Sequence, residues 1–177
     1  MERPQYQRLN TNKGGDGMPL IDLPLFWLII VDAMAWMVLH LSISFAAQRI
    51  PIDWFVRNKR WFRSFSWEKE GRIWQQLFRV KRWKGYIPDG TLFISNGYNK
   101  SKLHGADSMS LYDFLLESRR AEWVHWLTIF PSILFFLWNP IWAAWLNVVY
   151  AILFNVPLIV VQRFNRPRLE RLLKTSR

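Results

Sequence analysis

Two stretches of this chain are almost free of charge, and they bracket a long basic segment. From Leu23 to Phe45 the only strongly polar side chains are Asp32, His40, Ser42 and Ser44. In a helix, at about 1.5 Å per residue, that length crosses a hydrocarbon core of roughly 30 Å. It is long for a signal h-region and lacks a small-residue exit site, so it predicts a retained anchor. Between Glu122 and Arg163, forty consecutive residues carry no Lys, Arg, Asp or Glu. Asn139-Pro140, near the middle, is a turn signal, because proline has no N–H and biases its predecessor away from helix. The pattern predicts a hairpin of Trp123–Trp138 and Ile141–Val161, whose first arm is short for a full crossing. The expected organisation is a polar arm over 1–22, a first transmembrane helix over 23–45, a basic Trp-rich region over 46–122, a transmembrane hairpin over 123–161 and a basic tail over 162–177. This is an all-α integral membrane protein with about three transmembrane helices and interfacial amphipathic helices on the cytoplasmic side.

Charge gives the arrangement a direction. The 177 residues hold 24 Lys+Arg against 13 Asp+Glu, a formal net charge of +11. Fifteen of the cations lie between Ala46 and Glu122, six lie from Arg163 onward, and three precede the first span. Basic loops stay on the cytoplasmic side, so the long loop and tail are expected inside, with the N-terminus and the uncharged hairpin turn outside. The expected address is a bacterial cell membrane, multi-pass, with the active face cytoplasmic. A mean hydropathy of −0.04 averages two opposite kinds of sequence.

In the central region, Trp54, Trp61, Trp67, Trp74 and Trp83 alternate with Arg and Lys, and Trp74, Leu77 and Phe78 form an i, i+3, i+4 stripe. Such segments suit short helices lying at the headgroup level. Interleaved cations and aromatics also stack bases, but no recognition motif accompanies them, and a nucleic-acid partner is not expected. Gly85 to Gly90 carries turn residues, and Thr91–Ile94 is a candidate short strand.

The absence of Cys excludes disulfides, thiolate metal sites and a cysteine acyl-enzyme. The sequence contains no serine elbow, zinc-helix motif or phosphate-loop motif. His104 is followed five places on by Met109 and His125 by Phe130, so the H-x-x-x-x-D of common glycerolipid acyltransferases is absent. What remains is a cluster at one membrane face. Glu122 and His125 share a helical face at i, i+3, and a hairpin returns its exit, Gln162-Arg163-Phe164-Asn165-Arg166, to their side. A base would then lie beside cations able to hold phosphates or an oxyanion. Asp32, nine residues into the first span, is costly there and is either a packing or a functional group. No metal site is expected.

The motifs Arg49-Ile50-Pro51, Phe65-x-x-Glu68-Lys69-x-Gly71, Trp83-Lys84 before Asp89-Gly90, Glu117-x-x-Arg120-Ala121-Glu122-x-x-His125-Trp126, and Asn155-Val156-Pro157 running to Gln162-Arg163-Phe164-Asn165-Arg166-Pro167-Arg168-Leu169 resemble the glycosyl-4,4′-diaponeurosporenoate acyltransferases of bacterial carotenoid (staphyloxanthin-type) pathways. The likeness runs from about Arg49 to Leu169, with Phe164 where tyrosine is familiar and Glu70 where a histidine occurs. The resemblance implies a membrane enzyme that esterifies a sugar hydroxyl of a glycosylated carotenoid, or a similar lipidic glycoside, with a fatty acyl chain from a thioester donor. That donor is an acyl-CoA or acyl carrier protein acting as co-substrate, and no bound cofactor is implied.

The chemistry suits these residues, with His125 as the expected general base and Glu122 orienting it. Arg163 and Arg166 become an oxyanion or phosphate grip, with Lys81, Lys84 and Arg120 adding cations. Glu68, Trp83, Asp89, Glu117, Asn155, Gln162 and Asn165 complete the expected binding set. The bilayer, the glycoside, the thioester and other pathway enzymes are the expected partners. Two further classes fit the same composition: a noncatalytic membrane scaffold of a lipid pathway, and a different small lipid transferase such as a methyltransferase.

Overall fold

The computed structural model describes residue 21, residues 23–86 and residues 108–175; the expected strand at Thr91–Ile94, the arm up to residue 20 and Asp89 lie outside them. The described residues are helical throughout, with no strand among them. Helix α1 covers Leu25–Arg49. It ends because Pro51 forces Ile50 into an extended conformation (φ −69°, ψ 122°). Pro51 then caps α2, Ile52–Arg57, and two 3₁₀ turns follow, Lys59–Phe62 and Ser66–Glu68. Lys69, Glu70 and Gly71 all take positive φ (47°, 57° and 82°), which reverses the chain into α3, Arg72–Phe78. Arg79, also left-handed, separates α3 from α4, Val80–Trp83.

Helix α5 covers Ser108–Ile129 and continues as a 3₁₀ helix over Phe130–Leu137. Pro131 explains the change, since it cannot donate to the carbonyl of Leu127 and its ring crowds that turn. Ser132 Oγ donates to the Ile129 carbonyl at 2.7 Å, satisfying part of the disrupted ladder. Eight 3₁₀ residues at roughly 2.0 Å rise rather than 1.5 Å lengthen this arm by about 4 Å. The arm therefore reaches along α1 from Ile50, whose carbonyl accepts from Arg120 Nη2 at 3.4 Å, to Asp32, bound by Trp138 and Asn139.

The chain turns at Trp138–Pro140 into α6, Ile141–Thr175. The turn falls where Asn139-Pro140 predicts it, but the helix bounds do not. α5 runs unbroken through Glu122, and α6 continues past Val161, so the Gln162–Leu169 motif is helical and not a tail. Pro157 and Pro167 sit inside α6 without ending it, because Arg163, Phe164 and Arg166 are buried beyond Pro157 and Leu169 beyond Pro167. That tertiary burial outweighs the local cost of a proline.

α1 and α6 run side by side in the same direction. Asp32 meets Asn147, Trp36 meets Tyr150, and His40 meets Phe154. Both helices are long and apolar enough to cross a membrane by length and composition, and large apolar side chains such as Phe26, Leu41, Trp142 and Leu153 stand exposed along them. α5 carries too many polar residues to pass that test and is covered by α1, α2 and α6.

The segment after α1 packs against α5 and the far half of α6, with Phe55 and Phe62 on Leu116 and Val80 on Val160, Val161 and Phe164. Trp54, Trp74 and Trp83 contribute to these clusters, while Trp61 and Trp67 are exposed. Gly71 is pressed against α6: a Cβ there would stand 3.1 Å from the Phe164 carbonyl oxygen and 3.3 Å from that of Arg163. Gly71→Ala adds this contact to an unfavourable positive φ and is expected to cost about 1–3 kcal/mol. Thermal unfolding in detergent checks it against Gly85→Ala, whose Cβ would meet nothing within 4 Å and which should leave the midpoint unchanged.

Candidate active site

Where α5, α6 and the reversal at residues 66–71 converge, two carboxylates and two guanidiniums are buried together. Glu68 and Glu122 are 0% and 2% exposed, Arg163 and Arg166 8% and 1%. Arg163 donates from Nε and Nη2 to the two oxygens of Glu68 at 2.5 and 2.8 Å, and from Nη1 to Glu122 Oε1 at 2.7 Å. Arg166 pairs with the other Glu122 oxygen and donates to the Phe62 carbonyl at 2.8 Å. Glu68 also accepts from Trp74 Nε1 and from the Phe65 backbone N–H, at 3.1 and 2.7 Å. Two negative and two positive charges cancel, the condition under which ionised groups survive burial. Helical spacing accounts for the arrangement: Arg163 and Arg166 are one turn apart on α6 and straddle Glu122.

One turn further along α5, His125 turns to a different partner. Its Nδ1 lies 3.0 Å from Asn155 Oδ1. Asn155 is fully buried, and its Nδ2 donates to the Ala151 carbonyl at 2.9 Å. The amide orientation follows from that bond, since turning it over would set two oxygens against each other. A neutral His125 therefore carries its proton on Nδ1, given to Asn155, and its Nε2 holds a lone pair. That is the tautomer a general base requires.

The structure brings most of the expected residues together, in pairings the spacing alone does not give. Glu122 bonds to Arg163, Arg166 and, at 3.4 Å, Trp126 Nε1, so the i, i+3 contact expected with His125 is replaced by Asn155 as the orienting group. Arg163 and Arg166 are held inside the ion-pair lattice, and with so little exposure they position the backbone of α6 rather than present a phosphate grip. Gln162 Oε1 accepts from Ser118 Oγ at 3.0 Å. Asn165 Oδ1 accepts from Lys84 Nζ at 3.2 Å, and the Lys84 ammonium also lies 5.3 Å from the Phe164 ring. Trp83 Nε1 donates to the Phe78 carbonyl at 2.7 Å.

Arg120 pairs with Glu117 at 2.6 Å. Asp89 lies outside the described residues. Among the described residues no group of three His, Asp or Glu side chains converges as metal ligands would.

Three residues of this neighbourhood lie outside the expected site set. Arg119, 7% exposed, donates to the Phe55 carbonyl at 2.9 Å and ties α5 to α2. His40 stands edge-on to Phe154, the sequence neighbour of Asn155. Asn147 bridges Asp32 and Trp36, at 2.7 Å to each. A signal for His40 is present: Asp32, Trp36 and His40 recur at i, i+4, i+8 on an otherwise apolar helix, which lines polar groups along one face.

The described residues define a helical protein with two helices long and apolar enough to cross a membrane and a buried Glu–Arg lattice beside the His125–Asn155 pair. Comparison with known proteins places it among acyltransferases. Residues 58–175 match the family model described as glycosyl-4,4′-diaponeurosporenoate acyltransferase, and the chain belongs to that family. It is 40% identical over 141 residues to the glycosyl-4,4′-diaponeurosporenoate acyltransferase of Staphylococcus haemolyticus strain JCSC1435, covering 80% of this chain and 82% of the relative. Those of Staphylococcus aureus strains RF122 and USA300 are 38% and 37% identical over 142 residues, each covering 80% of this chain and 86% of the relative. No solved structure matches. The chain is an acyltransferase.

Proposed function

We propose that this enzyme transfers a fatty acyl chain from a thioester to a sugar hydroxyl of a glycosylated carotenoid, with His125 as general base. The observation that carries the proposal is the His125–Asn155 bond, which leaves Nε2 free to take a proton. The sugar hydroxyl gives its proton to Nε2 as its oxygen attacks the thioester carbonyl carbon. The tetrahedral intermediate then collapses, the C–S bond breaks, and the departing sulfur takes the proton back from the imidazolium. With no Cys in the chain and no serine elbow, direct transfer is simpler than an acyl-enzyme. The lattice of Glu68, Glu122, Arg163 and Arg166 fixes α5 against α6, so that His125 and Asn155 meet. Exposed cations at Arg79, Lys81 and Arg82 face the aqueous side, where the phosphates of an acyl-CoA would be attracted.

The enzyme works in a bacterial cell membrane with three crossings, α1 and α6 in one direction and α5 with its 3₁₀ extension in the other. The parallel register of α1 and α6 supports this topology, as does the reach of α5 along α1. Positive charge places the loop and tail inside and the N-terminus outside. A strain lacking the chain should accumulate a glycosylated pigment lighter by one acyl group, read by mass spectrometry of the pigment extract. An unchanged pigment mass would refute the assignment of acceptor.

A further inference from the structure

A cavity of about 500 Å³ lies between α1 and α6, lined by Ala33, Trp36, Met37, His40, Asn147 and Tyr150. We infer that this groove is the slot for the fatty acyl chain of the donor and that the hydrogen-bonded cluster around Asp32 closes it and limits chain length. The inference rests on the acyl-transfer reading of His125 and names where one of its two substrates lies.

The groove has two unlike ends. At one end His40 stacks edge-on to Phe154, ring centroids 5.9 Å apart, next to the Asn155 that holds His125. A chain whose carbonyl sits at His125 therefore passes His40 and enters the groove. At the other end Asp32 accepts three hydrogen bonds: Oδ1 from Trp138 Nε1 and Asn139 Nδ2, both 2.8 Å, and Oδ2 from Asn147 Nδ2 at 2.7 Å. Asn147 Oδ1 in turn accepts from Trp36 Nε1 at 2.7 Å. A methyl terminus cannot advance past this cluster without breaking the hydrogen bonds that Trp138, Asn139 and Asn147 make to the Asp32 carboxylate.

Along the groove, Trp36 and Tyr150 form an aromatic wall at 5.1 Å. Met37 and Tyr150 are 54% and 43% exposed, so the long side opens laterally, where a lipid-soluble chain arrives. The polar atoms of Trp36 and Asn147 are spent on each other, on Asp32 and on the Ala143 carbonyl, which leaves His40 and Tyr150 as the remaining polar groups of the lining, few for the many hydroxyls of a sugar ring. From His40 to Ala33 the slot is about 10 Å long, too short for a long rigid polyene that cannot bend out of it. A flexible saturated chain ending at the Asp32 cluster fits both limits.

Filling the far end tests the inference. Enzyme reconstituted in phosphatidylglycerol vesicles is offered a series of saturated acyl-CoAs with the glycosylated acceptor, and the products are resolved by mass. In Ala33→Leu the best donor should shorten by roughly two carbons or more, with the long-to-short ratio of kcat/KM falling about tenfold. Val38→Leu, on the same helix outside the groove, should keep the wild-type profile. An unshifted profile in Ala33→Leu overturns the slot.

A photoreactive acyl-CoA with its reactive group at the chain terminus separates this from failure of the transfer chemistry. Cross-linking within residues 33–37 or 147–150 without any turnover would retain the slot and remove the acyl-transfer reading. Cross-linking elsewhere would remove the slot whether or not turnover is seen.

Discussion

His125→Ala is expected to lose acyl transfer by about 10²–10⁴-fold in kcat, the usual contribution of a positioned general base, while the protein still inserts and keeps its unfolding midpoint. The side chain is partly buried and is hydrogen-bonded to Asn155, so truncation leaves a small void beside α6. The loss should show in single-turnover measurements with acyl-CoA as a fall in kcat with little change in the donor KM. Asn155→Ala, which releases the tautomer, should lower kcat and change the pH profile. Asn155→Asp restores an acceptor for Nδ1–H and should recover part of the rate. Wild-type turnover in a folded His125→Ala protein would remove the proposed base.

The second large effect concerns stability. Arg163→Met leaves Glu68 without its guanidinium and Glu122 with one guanidinium in place of two, in a site where these carboxylates are 0% and 2% exposed. Removing one member of a buried ion pair costs about 3–5 kcal/mol, because the remaining charge is uncompensated. Arg163→Lys should fail to rescue it, since one ammonium cannot reproduce the fork that serves both Glu68 oxygens and Glu122 at once. Thermal unfolding in detergent, followed with tryptophan fluorescence, measures the loss. If Arg163 instead gripped donor phosphates, Arg163→Met would raise the KM for acyl-CoA and leave the unfolding midpoint in place.

The apolar blocks and the Asn139-Pro140 turn were legible in the chain because both depend on local chemistry: a run without charge, and a proline that cannot continue a helix. The extent of α6 was not legible, since Pro157 and Pro167 argue for breaks and only the burial of Arg163, Phe164 and Arg166 against α5 and the turn at Gly71 overrides them. The switch to 3₁₀ geometry at Pro131 was equally hidden, although the proline that causes it is in plain view. At the site, spacing brought Glu122 and His125 to one helix face and the hairpin brought α6 beside them. It could not say that the arginines take both oxygens of Glu122 and leave the histidine to Asn155. That outcome depends on the rotation of α6, which the residues from Gly71 to Val80 set from outside the hairpin.

We propose that this single chain moves an acyl group from a thioester to a sugar hydroxyl on a glycosylated carotenoid. Purified protein in lipid vesicles, supplied with acyl-CoA labelled in its acyl carbonyl and with the glycosylated pigment, tests it most directly. The prediction is one labelled ester per pigment, on the sugar, with release of one free thiol for each ester formed. Thiol release without labelled pigment, or no transfer until another protein is added, would contradict it.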